Sequence, residues 1–197
     1  MLRIGVNGAA GRMGKRLVAL VARADDLTLV CALEAEGHEL CGRDAGEVAG
    51  AGAAEVPIAS RMEARPDVMI DFSSPASAVA RAAGCAAAGV ALVVGTTGLD
   101  EDQVGELEAA SKRVACVFAP NMSVGVTVLA ILARRAAEAL GPDYDVEVVE
   151  AHHRFKKDAP SGTALKLARA AADGLGRDLD AVAVYGRRGM TGERTPE

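Results

Sequence analysis

A glycine-rich turn set between an apolar run and a helical stretch limits this chain's fold more than any other feature. Leu2 to Asn7 (LRIGVN) is apolar and stops at Gly8-Ala9-Ala10-Gly11-Arg12-Met13-Gly14. A stretch from Lys15 to Arg23 follows, in which Leu17, Val18, Leu20 and Val21 give a mostly apolar helix face. The alternation then repeats. The segments 27–33 (LTLVCAL), 68–72 (VMIDF), 90–94 (VALVV) and 114–119 read as strands. Helices are expected from Pro75, just after Ser73 and Ser74, to about Ala88, and from about Asp100 to Ser111. Residues 35–55, rich in glycine and charge, read as a loop with at most one helical turn. Strands that are continuous apolar runs, separated by helices, are the pattern of a parallel sheet covered on both faces. The expected fold class is therefore α/β, a doubly wound parallel sheet with right-handed crossovers.

The pattern changes after Asn121. A long helix is expected from Val124 to Leu140, stopped by Gly141-Pro142. A strand-like run, Asp145 to Ala151 (DVEVVEA), leads into a polar, basic loop, HHRFKKDAPSGT. A helix from Ser161 to about Leu175 and a strand near 181–185 complete the reading. This divides the chain into residues 1–120 and a smaller α+β domain, 121–197.

Composition narrows the function classes. Half of the 197 residues are apolar, 3% are aromatic and Trp is absent, so the core should be Val, Leu, Ile and Ala. A net charge of −5 gives no bulk attraction to nucleic acid or to an anionic membrane. No apolar run approaches the ~20 residues that span a bilayer, and the N-terminus reads as a strand, not as a signal peptide. Cys31, Cys41, Cys85 and Cys116 show no CxxC spacing, which fits buried free thiols in a cytoplasmic protein.

The turn is G-x-x-G-x-x-G, a variant of the dinucleotide fingerprint. Its glycines tolerate positive φ, its small side chains let backbone approach a pyrophosphate, and the helix start offers free N–H groups with a partial positive charge. Glu34 lies about 20 residues beyond the turn, at the end of the second strand, where an acid accepts hydrogen bonds from ribose hydroxyls. This makes the first domain Rossmann-like. A carboxylate repels a 2′-phosphate and Ala35, not arginine, follows it, so NADH is the expected cofactor, with NADPH left open. Gly95-Thr96-Thr97-Gly98 and Ala119-Pro120-Asn121 also sit at strand ends, where ligands of open α/β sheets bind, and suit the nicotinamide ribose and ring.

The second domain carries a different chemistry. His152, His153, Arg154, Lys156 and Lys157 fall in one hexapeptide of an acidic chain, and include two of its three histidines. Ser161-Gly162-Thr163 then opens a helix, itself an anion site. Together they suggest a pocket for a substrate bearing carboxylates. No metal site is expected: His152 and His153 are adjacent and point to opposite sides of an extended chain. His38 reads as a structural or solvated loop residue.

These residues resemble the dihydrodipicolinate reductase family. Glu150-Ala151-His152-His153-Arg154, Lys156, and Asp158-Ala159-Pro160-Ser161-Gly162-Thr163-Ala164 match its signature E-[AL]-H-H-x-x-K-x-D-A-P-S-G-T-A. Gly11-Arg12-Met13-Gly14, Asp44-Ala45-Gly46-Glu47, Gly95-Thr96-Thr97-Gly98, Asn121-Met122-Ser123-Val124-Gly125-Val126 and Thr191-Gly192-Glu193-Arg194 are similar to further family segments. The resemblance implies NAD(P)H-dependent reduction of 4-hydroxy-tetrahydrodipicolinate to tetrahydrodipicolinate, with loss of water, on the way to diaminopimelate and lysine. It implies that His152 donates or accepts a proton and that Lys156 donates one. His153, Gly162 and Thr163 would bind the dicarboxylate. Gly8, Ala9, Ala10, Gly11, Arg12, Met13, Glu34, Gly95, Thr96, Thr97, Ala119, Pro120, Asn121 and Met122 would hold the cofactor. It also implies a homotetramer built through the second domain. The chain stops at Thr195-Pro196-Glu197 while family members continue, so the second domain is expected to be incomplete. Two rivals stand beside this reading: another dehydrogenase with the same cofactor half, and a non-catalytic NAD-binding protein.

Overall fold

The computed structural model describes residues 1–154, 156 and 159–193. Phe155, Lys157 and Asp158 of the basic loop, and residues 194–197, lie outside the described residues. The chain divides into two compact units, Met1–Pro120 and Asn121–Glu197.

The first unit alternates strands and helices. β1 (Leu2–Asn7), α1 (Arg12–Val21), β2 (Leu27–Leu33), α2 (Ala45–Val48), β3 (Ile58–Ala59), β4 (Val68–Asp71), α3 (Pro75–Ala88), β5 (Ala91–Val94), α4 (Glu101–Ser111) and β6 (Cys116–Phe118) follow in chain order. The sheet order is β3-β2-β1-β4-β5-β6 and every pair is parallel. This is the Rossmann order, with its reversal between β1 and β4. Side chains alternate across the strands, so two cores form. Ile4, Val6, Leu29 and Ile58 pack with Val18 and Val21 of α1, while Leu33, Met69, Leu92 and Val94 pack with Ala78 and Ala82 of α3 and Leu107 of α4.

Boundaries differ from the sequence reading by a few residues. α1 begins at Arg12 because Gly11, extended at φ −71° and ψ 170°, already serves as its N-cap. β3 was not foreseen: two residues pair with Ala32 and Leu33, too short to leave a periodic signal. The loop around α2 is tied by Asp44, whose carboxylate accepts from the N–H groups of Glu47, Ala54 and Val56 at 2.9–3.1 Å. These bonds, from Ala54 first, hold its carboxyl below the usual carboxylate range. Cys31 and Cys85 are buried, and burial pushes both thiols up to about 11; Cys41 and Cys116 are only half-buried.

The second unit contains α5 (Val124–Leu140), α6 (Gly162–Gly174) and α7 (Leu179–Val182). α5 packs on α6 through small residues. A Cβ at Gly174 would stand 2.4 Å from the Arg134 carbonyl oxygen, so only glycine lets the two backbones approach there. The two strand-like runs are corrected. Among the described residues, 145–151 has no strand pairing, and 181–185 begins within α7 and continues as irregular chain. An apolar run becomes a strand only when a neighbour takes up its backbone hydrogen bonds, and no described segment does so here. No described helix is long and apolar enough to cross a membrane.

Candidate active site

The first unit gathers most of the expected cofactor residues at the carboxyl ends of its strands. Gly8 adopts φ +79°, a left-handed conformation, and a Cβ there would lie 2.5 Å from the Phe72 carbonyl oxygen. Gly8 and Ala9 donate their N–H groups to the Leu33 carbonyl, so the turn is pinned to the end of β2. A Cβ at Gly14 would fall 2.0 Å from the Gly8 oxygen, which makes this glycine the condition for packing α1 against its own turn. Gly11, Arg12 and Met13 are exposed at the helix start.

That helix start has open donors. The cap residues of α2, α4, α5, α6 and α7 (Asp44, Asp100, Ser123, Ser161 and Asp178) each accept a backbone N–H on a side-chain oxygen, whereas Gly11 has no such side chain. The first turn of α1 holds no acid. The first N–H groups of a helix have no intrahelical acceptor, so this uncapped, exposed end fits an anionic dinucleotide. Glu34 stands beside it: Oε2 accepts from Ala10 N–H and Oε1 from Ala35 N–H, both at 3.1 Å. The carboxylate is thus held by the turn itself, with lone pairs left for hydroxyl donors.

A buried polar network joins the neighbouring strand ends. Asp71, fully buried at the end of β4, accepts from Asn7 Nδ2 at 2.5 Å, Ser73 Oγ at 2.8 Å, Ser73 N–H at 3.1 Å and Thr96 Oγ1 at 2.6 Å. Asn7 also donates to Ser73 and Ser77, and Thr96 accepts from Ser73 N–H at 2.8 Å. The Thr96 hydroxyl is buried and its hydrogen is committed to Asp71, so any donor it offers a ligand is its backbone N–H. Gly95 is buried beneath the Phe72 ring, Thr97 is exposed, and Ala119 N–H bonds the Val94 carbonyl beyond β6. Pro120 is exposed and closes the unit. Asn7, Asp71 and Ser73 were missed from sequence. Their signal was faint: polar residues ending apolar runs that would otherwise continue.

The second unit collects the rest around the start of α6. Asn121 donates Nδ2 to Thr163 Oγ1 at 2.8 Å, and its Oδ1 accepts from Ser123 N–H at 2.8 Å. Asn121 and exposed Met122 thus belong to the unit of the basic loop, not to that of the glycine turn. Ser161 is buried; its hydroxyl caps α6 at Ala164 N–H, and its own N–H donates to Glu150 Oε1 at 2.8 Å. Gly162 is exposed and Thr163 half-buried. Glu150 Oε2 lies 3.2 Å from His152 Nδ1. The Ser161 hydroxyl, then its N–H, hold the Glu150 carboxyl below the usual range, with smaller help from His152 and Lys156. Lys156 is half-buried and its N–H bonds the His153 carbonyl, turning the loop back on itself; His153 is exposed. His38 lies apart, its Nδ1 accepting from Leu40 N–H in a first-unit loop. No cluster of three or more His, Cys, Asp or Glu suited to a metal ion occurs among the described residues.

Comparison with known proteins now decides the family. Residues 2–122 match the family model for the dihydrodipicolinate reductase N-terminus, and residues 125–196 the model for its C-terminus. The chain belongs to the dihydrodipicolinate reductase family. It is 50% identical to a 4-hydroxy-tetrahydrodipicolinate reductase of Alkalilimnicola ehrlichii, an alignment covering 98% of this chain and 73% of the relative. A second, from Halorhodospira halophila, is also 50% identical, over 100% of this chain and 74% of the relative. Among solved structures, a dipicolinate-bound dihydrodipicolinate reductase from Paenisporosarcina sp. TG-14 aligns with a TM-score of 0.70 at 27% identity, covering 99% of this chain and 71% of that one.

Proposed function

We propose that this chain catalyses the NAD(P)H-dependent reduction of 4-hydroxy-tetrahydrodipicolinate to tetrahydrodipicolinate and water, on the route to diaminopimelate and lysine. The observation that carries the reading is 50% identity, over 98% of this chain, to a relative named for that reaction. The nicotinamide cofactor supplies the hydride when bound. Within the first unit, Gly8, Ala9, Ala10, Gly11, Arg12 and Met13 hold its pyrophosphate half and Glu34 its ribose. Gly95, Thr96, Thr97, Ala119 and Pro120, with Asn121 and Met122, serve its nicotinamide half. In the second unit His153 and the helix start at Ser161, Gly162 and Thr163 bind the dicarboxylate. Addition of hydride to a conjugated carbon calls for a proton, which Lys156 donates, and His152 exchanges a proton with the substrate.

Finer features of the proposal follow from charge and surface. Glu34 beside the turn disfavours a 2′-phosphate, so NADH is the preferred cofactor and NADPH the lesser one. The protein works as a cytoplasmic homotetramer without a metal. Loss of NADH absorbance with freshly prepared substrate tests the activity. Turnover is expected; NADH binding by titration without turnover would leave a binding protein instead. A kcat/KM much greater with NADPH than with NADH would overturn the cofactor preference.

A further inference from the structure

His152 and the start of α6 are joined through one carboxylate. Glu150 places Oε1 on the N–H of Ser161, at 2.8 Å, and Oε2 on Nδ1 of His152, at 3.2 Å. The Ser161 end is fixed, since that residue is only 3% exposed and its hydroxyl accepts the cap bond of α6 while also acting on the Glu150 carboxyl. The imidazole end is open, with 36% of the His152 side chain exposed. Glu150 is thus anchored at Ser161 and presents its second oxygen to a ring that is open to solvent.

We propose that Glu150 is a positioning residue: it holds His152 as the Nδ1–H tautomer, leaving Nε2 as the nitrogen that exchanges protons with substrate. This rests on the reductase reading above and adds to it the group that sets which ring nitrogen works. A carboxylate has only acceptor oxygens, so the nitrogen facing it must carry hydrogen. The choice of tautomer then fixes whether the outward nitrogen of the neutral ring accepts or donates. The charged and titratable groups that act on the Glu150 carboxylate are His152 and Lys156, both of which favour its ionised form. Glu150 is therefore biased towards its ionised, acceptor-only form.

Glu150→Gln makes the case decidable. The Ser161 N–H can only donate, so it claims the amide oxygen of the new side chain. The amide NH₂ must then face His152, where Nδ1 can meet it only as an acceptor. The substitution inverts the tautomer while changing neither length nor volume appreciably. The test pairs imidazole-nitrogen NMR with kinetics on the full chain. For the wild type the expected spectrum shows His152 as Nδ1–H in its neutral form. For Glu150→Gln the expected result is an Nε2–H signature and a kcat lower by about 10- to 100-fold, the usual loss when a histidine's orienting partner is removed, with the NADH Kd unchanged. A wild-type His152 found as Nε2–H overturns the proposal whatever the variant does. So does a Glu150→Gln protein that keeps both tautomer and kcat. A wild type that shows no turnover fails the reductase reading instead, and the NMR result still decides the role of Glu150.

Discussion

The two units bury their apolar residues in opposite ways. The first encloses Leu33, Ile58, Met69, Leu92 and Val94 almost completely, on both faces of a six-stranded sheet. The second buries mainly alanines, Ala130, Ala137, Ala164, Ala171 and Ala172, where α5 meets α6, and exposes Val124, Ile131, Leu132, Val149, Val184 and Tyr185. A sheet with helices on both faces is a closed solution to the hydrophobic problem. A close pair of helices with bulky residues outside is not, and those exposed residues are the ones the proposed assembly would cover. The first unit is thus suited to be the rigid support that the proposed cofactor site needs. The second leaves its bulky residues outside, and that is the physical ground for the proposed assembly.

The largest effect is expected at the chemistry of the second unit. Lys156→Ala is expected to lower kcat by roughly 10²–10⁴-fold, the range for a positioned acid–base group, while NADH affinity stays close to normal. An unchanged kcat would take Lys156 out of the reaction. Next comes packing. Leu92→Ala should cost about 2–5 kcal/mol by denaturant unfolding, as a fully enclosed leucine does. Ile131→Ala, at a residue 57% exposed, should cost less than about 0.5 kcal/mol in dilute protein. A cost at Ile131 that grows with protein concentration would identify a second copy on α5. Smaller than the Leu92 effect is that of Asp71→Ala, which strands the donors of Asn7, Ser73 and Thr96 and should cost roughly 1–3 kcal/mol. It should also weaken NADH binding, because the strand-end turns lose their common anchor.

The smallest expected effect is on acid stability. Asp44 and Glu150 both have folded-state affinities for protons below those of an ordinary carboxylate. Each therefore contributes stability that is present above the ordinary carboxylate range and is lost as pH falls through the depressed folded value. Both are solvent-screened, so the effect is slight. Asp44→Asn should flatten the acid limb of the unfolding curve for the first unit, read by the Tm between neutral pH and pH values below the carboxylate range. An acid limb of undiminished slope would remove Asp44 as a contributor.

What could be read from the sequence follows the same division. β1 and β2 were legible to the residue because a parallel strand buried on both faces is a continuous apolar run with a sharp end at Gly8 or Glu34. The glycine turn was legible because its three glycines answer separate needs: positive φ at Gly8, an uncapped start at Gly11, close packing at Gly14. The Asp71 network was not, because a single Asp closing an apolar run looks like any strand end until Asn7, Ser73 and Thr96 are brought round it. In the second unit Asp145–Ala151 and the 181–185 segment carried strand composition but no strand, because pairing depends on a neighbour that local sequence does not contain. Glu150 was quoted within a motif, yet its role depends on Ser161, eleven residues on, folding back to meet it.

The proposed division of labour has the glycine turn and strand ends of the first unit holding most of the cofactor and the second unit supplying the acid–base chemistry. Amide hydrogen exchange with and without NADH addresses it most directly. The account predicts slowed exchange at Gly11, Arg12 and Met13 and at Thr96 and Thr97, with little change along α6. Protection confined to the second unit, or unchanged exchange at Gly11–Met13 under saturating NADH, would contradict it.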